Sequence, residues 1–261
     1  MKKTLLVLAV IMLVASASFA DVSFMVAPGV GQGKWAAMGM YATNHQGATA
    51  NIQTADPQRF DATSLGIKGT YGLTDSWDLM GAYSMDTLAS LKDLDDVIPG
   101  IKQTSGSTIG LGAKYSIAKA SEMFPVDSAV MVGYQQSTVG IKSDVAKEVG
   151  VTQTTMAIAG IFSKSMGMCT PYGGVAYKIL SKNSGKAFGQ GTLDSQGGTG
   201  LMWNLGVWIG IAKDQAVAIE YNTENQKWDS LSKKGKAIDP TDKDGYGISV
   251  SGISLGYVYM F

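Results

Sequence analysis

Apolar and polar residues alternate with a period of two through most of this chain, which is the spacing of strands rather than helices. Positions 201–212 show it most clearly. Leu201, Trp203, Leu205, Val207, Ile209 and Ile211 fall on one face; Met202, Asn204, Gly206, Trp208, Gly210 and Ala212 fall on the other. A second run sets Ile109, Leu111, Ala113, Tyr115 and Ile117 against Gly110, Gly112, Lys114 and Ser116. A third sets Leu65, Ile67, Tyr71 and Leu73 against Gly66, Lys68, Thr70 and Gly72. The same rule predicts strands over 77–85, 126–136, 154–162, 173–179, 217–221 and 248–261. One more near the start makes about ten. It falls at 22–30, at 34–43, or across both halves of an element interrupted around 29–33, where Pro28 argues against a regular ladder.

The gaps between these strands alternate in length. Short ones fall near 74–76, 118–125, 165–170 and 213–215; long ones fall near 44–57, 88–104, 141–150, 181–198 and 226–245. Short turns at one end and long loops at the other are the rhythm of an up-and-down barrel. A soluble sandwich also alternates, but its second face meets water. Here that face is largely Gly, Ala, Ser and Met with occasional charges, which suits the cramped interior of a small closed barrel. The first face carries aromatics near strand ends. Tyr71, Trp77, Tyr115, Tyr259 and Phe261 lie towards the short turns, and Tyr83, Tyr134, Trp203 and Tyr221 towards the long loops, as two girdles at bilayer interfaces require.

Both ends of the chain bear on location. Residues 1–20 read MKKTLLVLAVIMLVASASFA: Lys2 and Lys3, a short apolar stretch, then small residues ending at Ala20. That is a secretory signal peptide, and the mature chain is expected to begin at Asp21. No later stretch is apolar over the ~18 residues a spanning helix needs, so a membrane location requires strands. The last octet, SLGYVYMF, places Ser254, Gly256, Tyr259 and Phe261 in the polar, glycine, aromatic and terminal-aromatic slots of an outer-membrane sorting signal. In this it resembles the bacterial outer-membrane β-barrel family. The resemblance implies an all-β, transmembrane antiparallel up-and-down barrel over 21–261, of about ten strands with eight or twelve as alternatives. It also implies outer-membrane lipids as surroundings, periplasmic termini, and periplasmic chaperones and the barrel-assembly machinery as partners during biogenesis.

Charge narrows the partners. Without Lys2 and Lys3, 19 basic residues face 21 acidic ones, a net charge of about −2, so nucleic acid has no electrostatic attraction to this chain. Cys169 is the sole cysteine and reads as a turn residue, with no disulfide and no cysteine-based metal site. Neither a metal nor a cofactor is expected.

Candidate chemistry lies on the inferred inner face: Lys68, Lys114, Lys178, Asp78, Asp86, Asp127 and Glu220. Such charges must be paired or wet. Paired, they plug a narrow interior; wet, they line a pathway for ions or small solutes. About ten strands enclose little more than their own side chains, which favours the plug. Lys68, Lys114, Asp78 and Glu220 are expected to meet near the short-turn mouth. His45, the sole histidine, is placed in the first long loop within reach of Asp56, Asp61 or Asp86. Outer-membrane proteases, which resemble this chain in outline, combine histidine with carboxylates at the rim, but their motifs have no residue-by-residue match here. No nucleophile motif accompanies His45. The GVGQG stretch at 29–33 reads as packing at a bend rather than a phosphate loop, and the basic SKKGK at 232–236 could meet lipopolysaccharide phosphates. The expected function is a non-enzymatic structural or surface-interaction protein with a largely plugged lumen; the alternative is a narrow porin-like channel.

Overall fold

The computed structural model describes residues 26–49, 59–88, 102–119, 125–143, 146–187, 191–233, 236–237 and 246–261. Its strands are β1 Trp35–Thr49, β2 Arg59–Gly72, β3 Trp77–Leu88, β4 Lys102–Ala118, β5 Asp127–Ser143, β6 Ala146–Ser163, β7 Cys169–Ala187, β8 Gly191–Ala212, β9 Gln215–Lys233, β10 Lys236–Ala237 and β11 Tyr246–Met260. Each long strand pairs antiparallel with its neighbour in sequence, β11 returns to β1, and β9 joins β8 to β11. The ten long strands therefore form a closed barrel, and the two-residue β10 only extends the β9 edge.

Closure carries a fixed stagger. Starting at Trp35 and stepping across paired residues through Tyr71, Leu79, Ala113, Val132, Ile158, Tyr177, Leu201, Asn225 and Ser249, the path re-enters β1 at Gly47. The offset, 47 minus 35, is a shear of 12. With ordinary strand spacings this corresponds to a tilt of about 40° and a backbone radius of about 10 Å. Such an interior is filled by side chains.

The two predicted faces separate cleanly. Leu65, Ile67, Ile109, Leu111, Leu201, Trp203, Leu205 and Ile211 are exposed, while Lys68, Thr108, Lys114, Met202 and Asn204 are buried inside. An outer surface this apolar is stable only in lipid. Closure leaves no unpaired edge there. Near the short turns the rings of Trp35 and Tyr71 meet at a tilt with centroids 4.6 Å apart, those of Trp77 and Tyr115 likewise at 4.9 Å, and Tyr259 meets Phe261 edge-on at 4.7 Å. At the other margin Trp203 meets Tyr221. Beyond that margin the outward positions become Thr43, Thr63, Thr87, Thr199 and Thr223. The belt thus covers about ten residues per strand, the length a tilted spanning strand needs.

Several expected boundaries move. The stretches at 141–150 and 181–198, predicted as loops, are mostly strand: β5 and β6 leave only 144–145 between them, and β7 and β8 only 188–190. At 19, 22 and 19 residues, β7, β8 and β9 run well past the lipid belt as paired hairpins. Their polar outer faces hid them from a search for apolar alternation. His45 lies in β1, not in a loop. Of the proposed first strands, 34–43 falls in β1 from Trp35 onward, whereas the described residues 26–34 form no strand. The expected leader and its cut at Ala20 and Asp21 lie outside the described residues.

Enlarging inward glycines need not crowd the wall equally. A Cβ on Gly206 would overlap the Tyr172 ring and approach the Ile219 carbonyl oxygen at 2.8 Å, whereas one on Gly210 meets Met168 O at an ordinary 3.6 Å. Gly206→Ala is expected to lower stability by about 1–3 kcal/mol and Gly210→Ala to be near neutral. Urea unfolding of the refolded barrel, followed by its electrophoretic mobility shift, compares the two.

Candidate functional site

The lumen holds the polar chemistry, and its short-turn end is filled by the segment that precedes β1. Pro28 and the glycines keep this segment out of a ladder. Gly31 and Gly33 adopt φ of 97° and 75°, a region where only glycine is unstrained, and Lys34 N–H donates to Gly31 O at 3.1 Å across the bend into β1. Backbone groups buried inside a barrel need partners, and the wall supplies them. Ala27 N–H donates to Ser163 Oγ at 3.1 Å, and Ser116 Oγ donates to Ala27 O at 2.9 Å. Val30 N–H donates to the Asp78 carboxylate at 3.2 Å.

Lys114 is the central tie. Its ammonium donates to Val26 O at 2.9 Å and Pro28 O at 2.7 Å, and pairs with Asp78 at 3.0 Å. Three donors thus reach three acceptors. Lys114 and Asp78 face each other as register partners on β4 and β3, so the alternation aligned them before any side chain moved.

Higher in the lumen three further clusters cross-link the wall. Lys178 on β7 pairs with Glu224 on β9 at 2.9 Å, over the intervening Gly200 on β8. A Cβ on Gly200 would stand 3.0 Å from Glu224 Oε1, so the glycine makes room for the pair. Below it, Glu220 accepts from Tyr172 Oη at 2.8 Å and Asn204 Nδ2 at 3.0 Å. On the opposite wall Asp86 accepts from Ser64 Oγ at 2.6 Å and Thr108 Oγ1 at 2.9 Å, and Thr108 Oγ1 lies 3.0 Å from the Ser137 hydroxyl.

All seven inner-face candidates therefore point inward, but they do not form one cluster. Lys114 and Asp78 meet as expected near the short turns. Tyr172 and Asn204 donate to Glu220, which lies higher in the lumen than the Lys114–Asp78 pair. Lys68 is buried beside a cavity near the mouth. Asp127 sits half-buried at the first residue of β5. Sequence reasoning missed Glu224 as the partner of Lys178, although its parity with Glu220 was a usable signal. It also missed the plug, whose contacts follow no period. On the outside His45 Nδ1 lies 2.5 Å from Asp61 Oδ1, with both side chains largely exposed. Asp86 faces the lumen, away from that pair, and Asp56 lies outside the described residues. Of the sorting residues, Ser254 and Gly256 face inward on β11 while Tyr259 and Phe261 face out. Cys169 is exposed where β7 begins.

The fold is that of bacterial outer-membrane β-barrels. The outer membrane protease OmpT of Escherichia coli superposes with a TM-score of 0.51 at 12% identity, covering 87% of this chain and 96% of that one. The transport unit of the E. coli autotransporter AIDA-I gives 0.46 at 9% identity, covering 99% of each chain. The outer membrane protein OprG of Pseudomonas aeruginosa gives 0.36 at 14% identity, covering 91% of this chain and 99% of that one. At 12% identity the likeness to OmpT is one of fold. No curated protein matches the sequence. A family model does match over residues 98–230, from just before β4 to near the end of β9, and the chain belongs to that family, a family of unknown function (DUF6588).

Proposed function

We propose that this outer-membrane barrel is a closed, non-enzymatic structural and surface-interaction protein that acts through its tall hairpins, with its lumen sealed at the short-turn end. The observation that carries this reading is the plug: residues 26–30 lie inside the wall, held there by Lys114, Ser116, Asp78 and Ser163. A pathway for solutes would have to displace a segment held to the barrel through Val26 O, Ala27 N, Ala27 O, Pro28 O and Val30 N. Ion pairing higher up, between Lys178 and Glu224, supports the same reading.

The short turns and both chain ends face the periplasm in this reading, and the β5–β9 hairpins stand outside the cell, where the basic 232–236 stretch meets lipopolysaccharide phosphates. The exposed His45–Asp61 pair belongs to this outer rim and serves as a surface contact, not a catalytic group. Refolded protein in planar bilayers is expected to show no steady conductance. A sustained open current from the unmodified barrel would move the assignment to a narrow solute channel.

Ser254, Gly256, Tyr259 and Phe261 act as the signal for assembly. Phe261 N–H donates to Trp35 O at 2.8 Å, so this residue also closes the seam between β11 and β1. Its deletion is expected to reduce the folded, heat-modifiable protein in outer-membrane fractions. Unchanged levels would show that the terminal aromatic carries no sorting information.

A further inference from the structure

We propose that a cavity at the short-turn end of the lumen binds a small uncharged apolar molecule. The cavity measures about 280 Å³ and lies between the plug and the wall. That is near the lower limit of ligand pockets and suits a body of about ten non-hydrogen atoms. The plug contributes Val30 to the lining, and the wall contributes Met38, Met80, Val258 and Met260. Met38 and Val258 belong to a buried apolar cluster against which Val30 and Met260 pack, so the floor of the cavity continues the core of the barrel mouth. Thioether side chains adapt to the shape of a guest, and the site therefore selects size and polarity more than outline.

The charges around it are already matched. Lys114 directs its three donors to Asp78, Val26 O and Pro28 O, and Lys68, the other lysine of the lining, has a partner as well. Neither stands free to receive an anion. Among the described residues no carboxylate lines the cavity, so a cation finds no counter-charge there either. A charged guest would shed its water without compensation, whereas an apolar body is driven out of water by the same transfer. Water itself is a poor occupant of the floor, because a buried water needs several polar partners and valine and methionine side chains supply none. Hydroxyl groups lie at the other end: Ser165 and Thr170 line the cavity beside the turn between β6 and β7, where Ser165 is exposed. A guest can enter there and leave a polar, uncharged end near the short turns. Nothing in this inference depends on whether the barrel conducts.

Calorimetric titration of the refolded barrel in lipid nanodiscs, with empty nanodiscs subtracted, tests it using three probes of nearly one shape. Cinnamyl alcohol is uncharged, cinnamate carries a negative charge, and protonated cinnamylamine carries a positive one. The alcohol is expected to bind saturably at one site, and each ion about tenfold or more weaker. Val30→Trp fills the space from the plug without altering a strand, so it should abolish saturable binding. A second readout holds even where that variant fails to fold. Trp208 lines the cavity, so a brominated cinnamyl alcohol should quench its fluorescence saturably, and Trp208→Phe should remove that saturable part. An ion that binds as tightly as the alcohol overturns the proposal, and so does an alcohol that does not saturate. Unchanged binding to a folded Val30→Trp barrel, or saturable quenching that survives Trp208→Phe, overturns it by placing the guest elsewhere.

Discussion

Lys114→Ala is expected to cost the folded barrel about 3–5 kcal/mol, the penalty for leaving one member of a buried ion pair alone. Asp78, fully buried, would lose its cation, and the Val26 and Pro28 carbonyls would lose their donor at the same moment. The urea midpoint of the heat-modifiable form should fall, and planar bilayers should begin to show open events as the plug loosens. The control is Lys114→Met combined with Asp78→Asn. It removes both charges, so most of the stability should return, while the plug carbonyls remain without Lys114. Recovery of stability without recovery of closure separates the two roles of this lysine. A single variant as stable and as silent as the parent barrel would show that Lys114 holds neither the pair nor the plug.

On the outer wall, Leu205→Arg is expected to lower stability by about 1–3 kcal/mol, the cost of a cation in the lipid belt between the bilayer midplane and its upper margin. Leu205 is 60% exposed and lies inside the aromatic margins, opposite Gly173 and Tyr221 in the sheet. Thr199→Arg, on the same face of β8 but beyond the upper margin, should cost no more than about 1 kcal/mol. Reversible folding into lipid vesicles measures both. Equal costs at the two positions would place the lipid belt elsewhere, and a neutral Leu205→Arg would mean the register is wrong by one residue.

Much of this architecture is written in short stretches of chain. The face on which Leu201, Trp203 and Leu205 lie follows from the two-residue pleat alone, and so does the inward placement of Lys68, Lys114 and Glu220. Glu224 shows the limit of a search by hydrophobicity. Its strand continues inward-facing past Tyr221, through Asn222, Glu224 and Gln226, but the outward partners there are Thr223, Asn225 and Lys227, so the apolar signal stops while the strand goes on. The same reason concealed the upper halves of β5 to β8. A strand leaving lipid keeps its backbone pairing and exchanges its outer side chains for polar ones, because the ladder is satisfied by its neighbours whatever the solvent outside.

Local periodicity determined that the chain is a barrel of about ten strands, which residues face lipid, and which charges face inward. Tertiary structure alone decided the partners of those charges. Lys114 and Asp78 became neighbours through the β3–β4 register, and Lys178 reached Glu224 across an intervening strand, 46 residues away in sequence. The plug was decided in the same way. Val26 and Lys114 are separated by 88 positions, and their contact depends on closure at a shear that brings the short-turn ends around one narrow mouth. A pleat repeats every two residues and can be read locally; the stagger of a closed barrel is a sum over all ten pairings, and no single segment contains it.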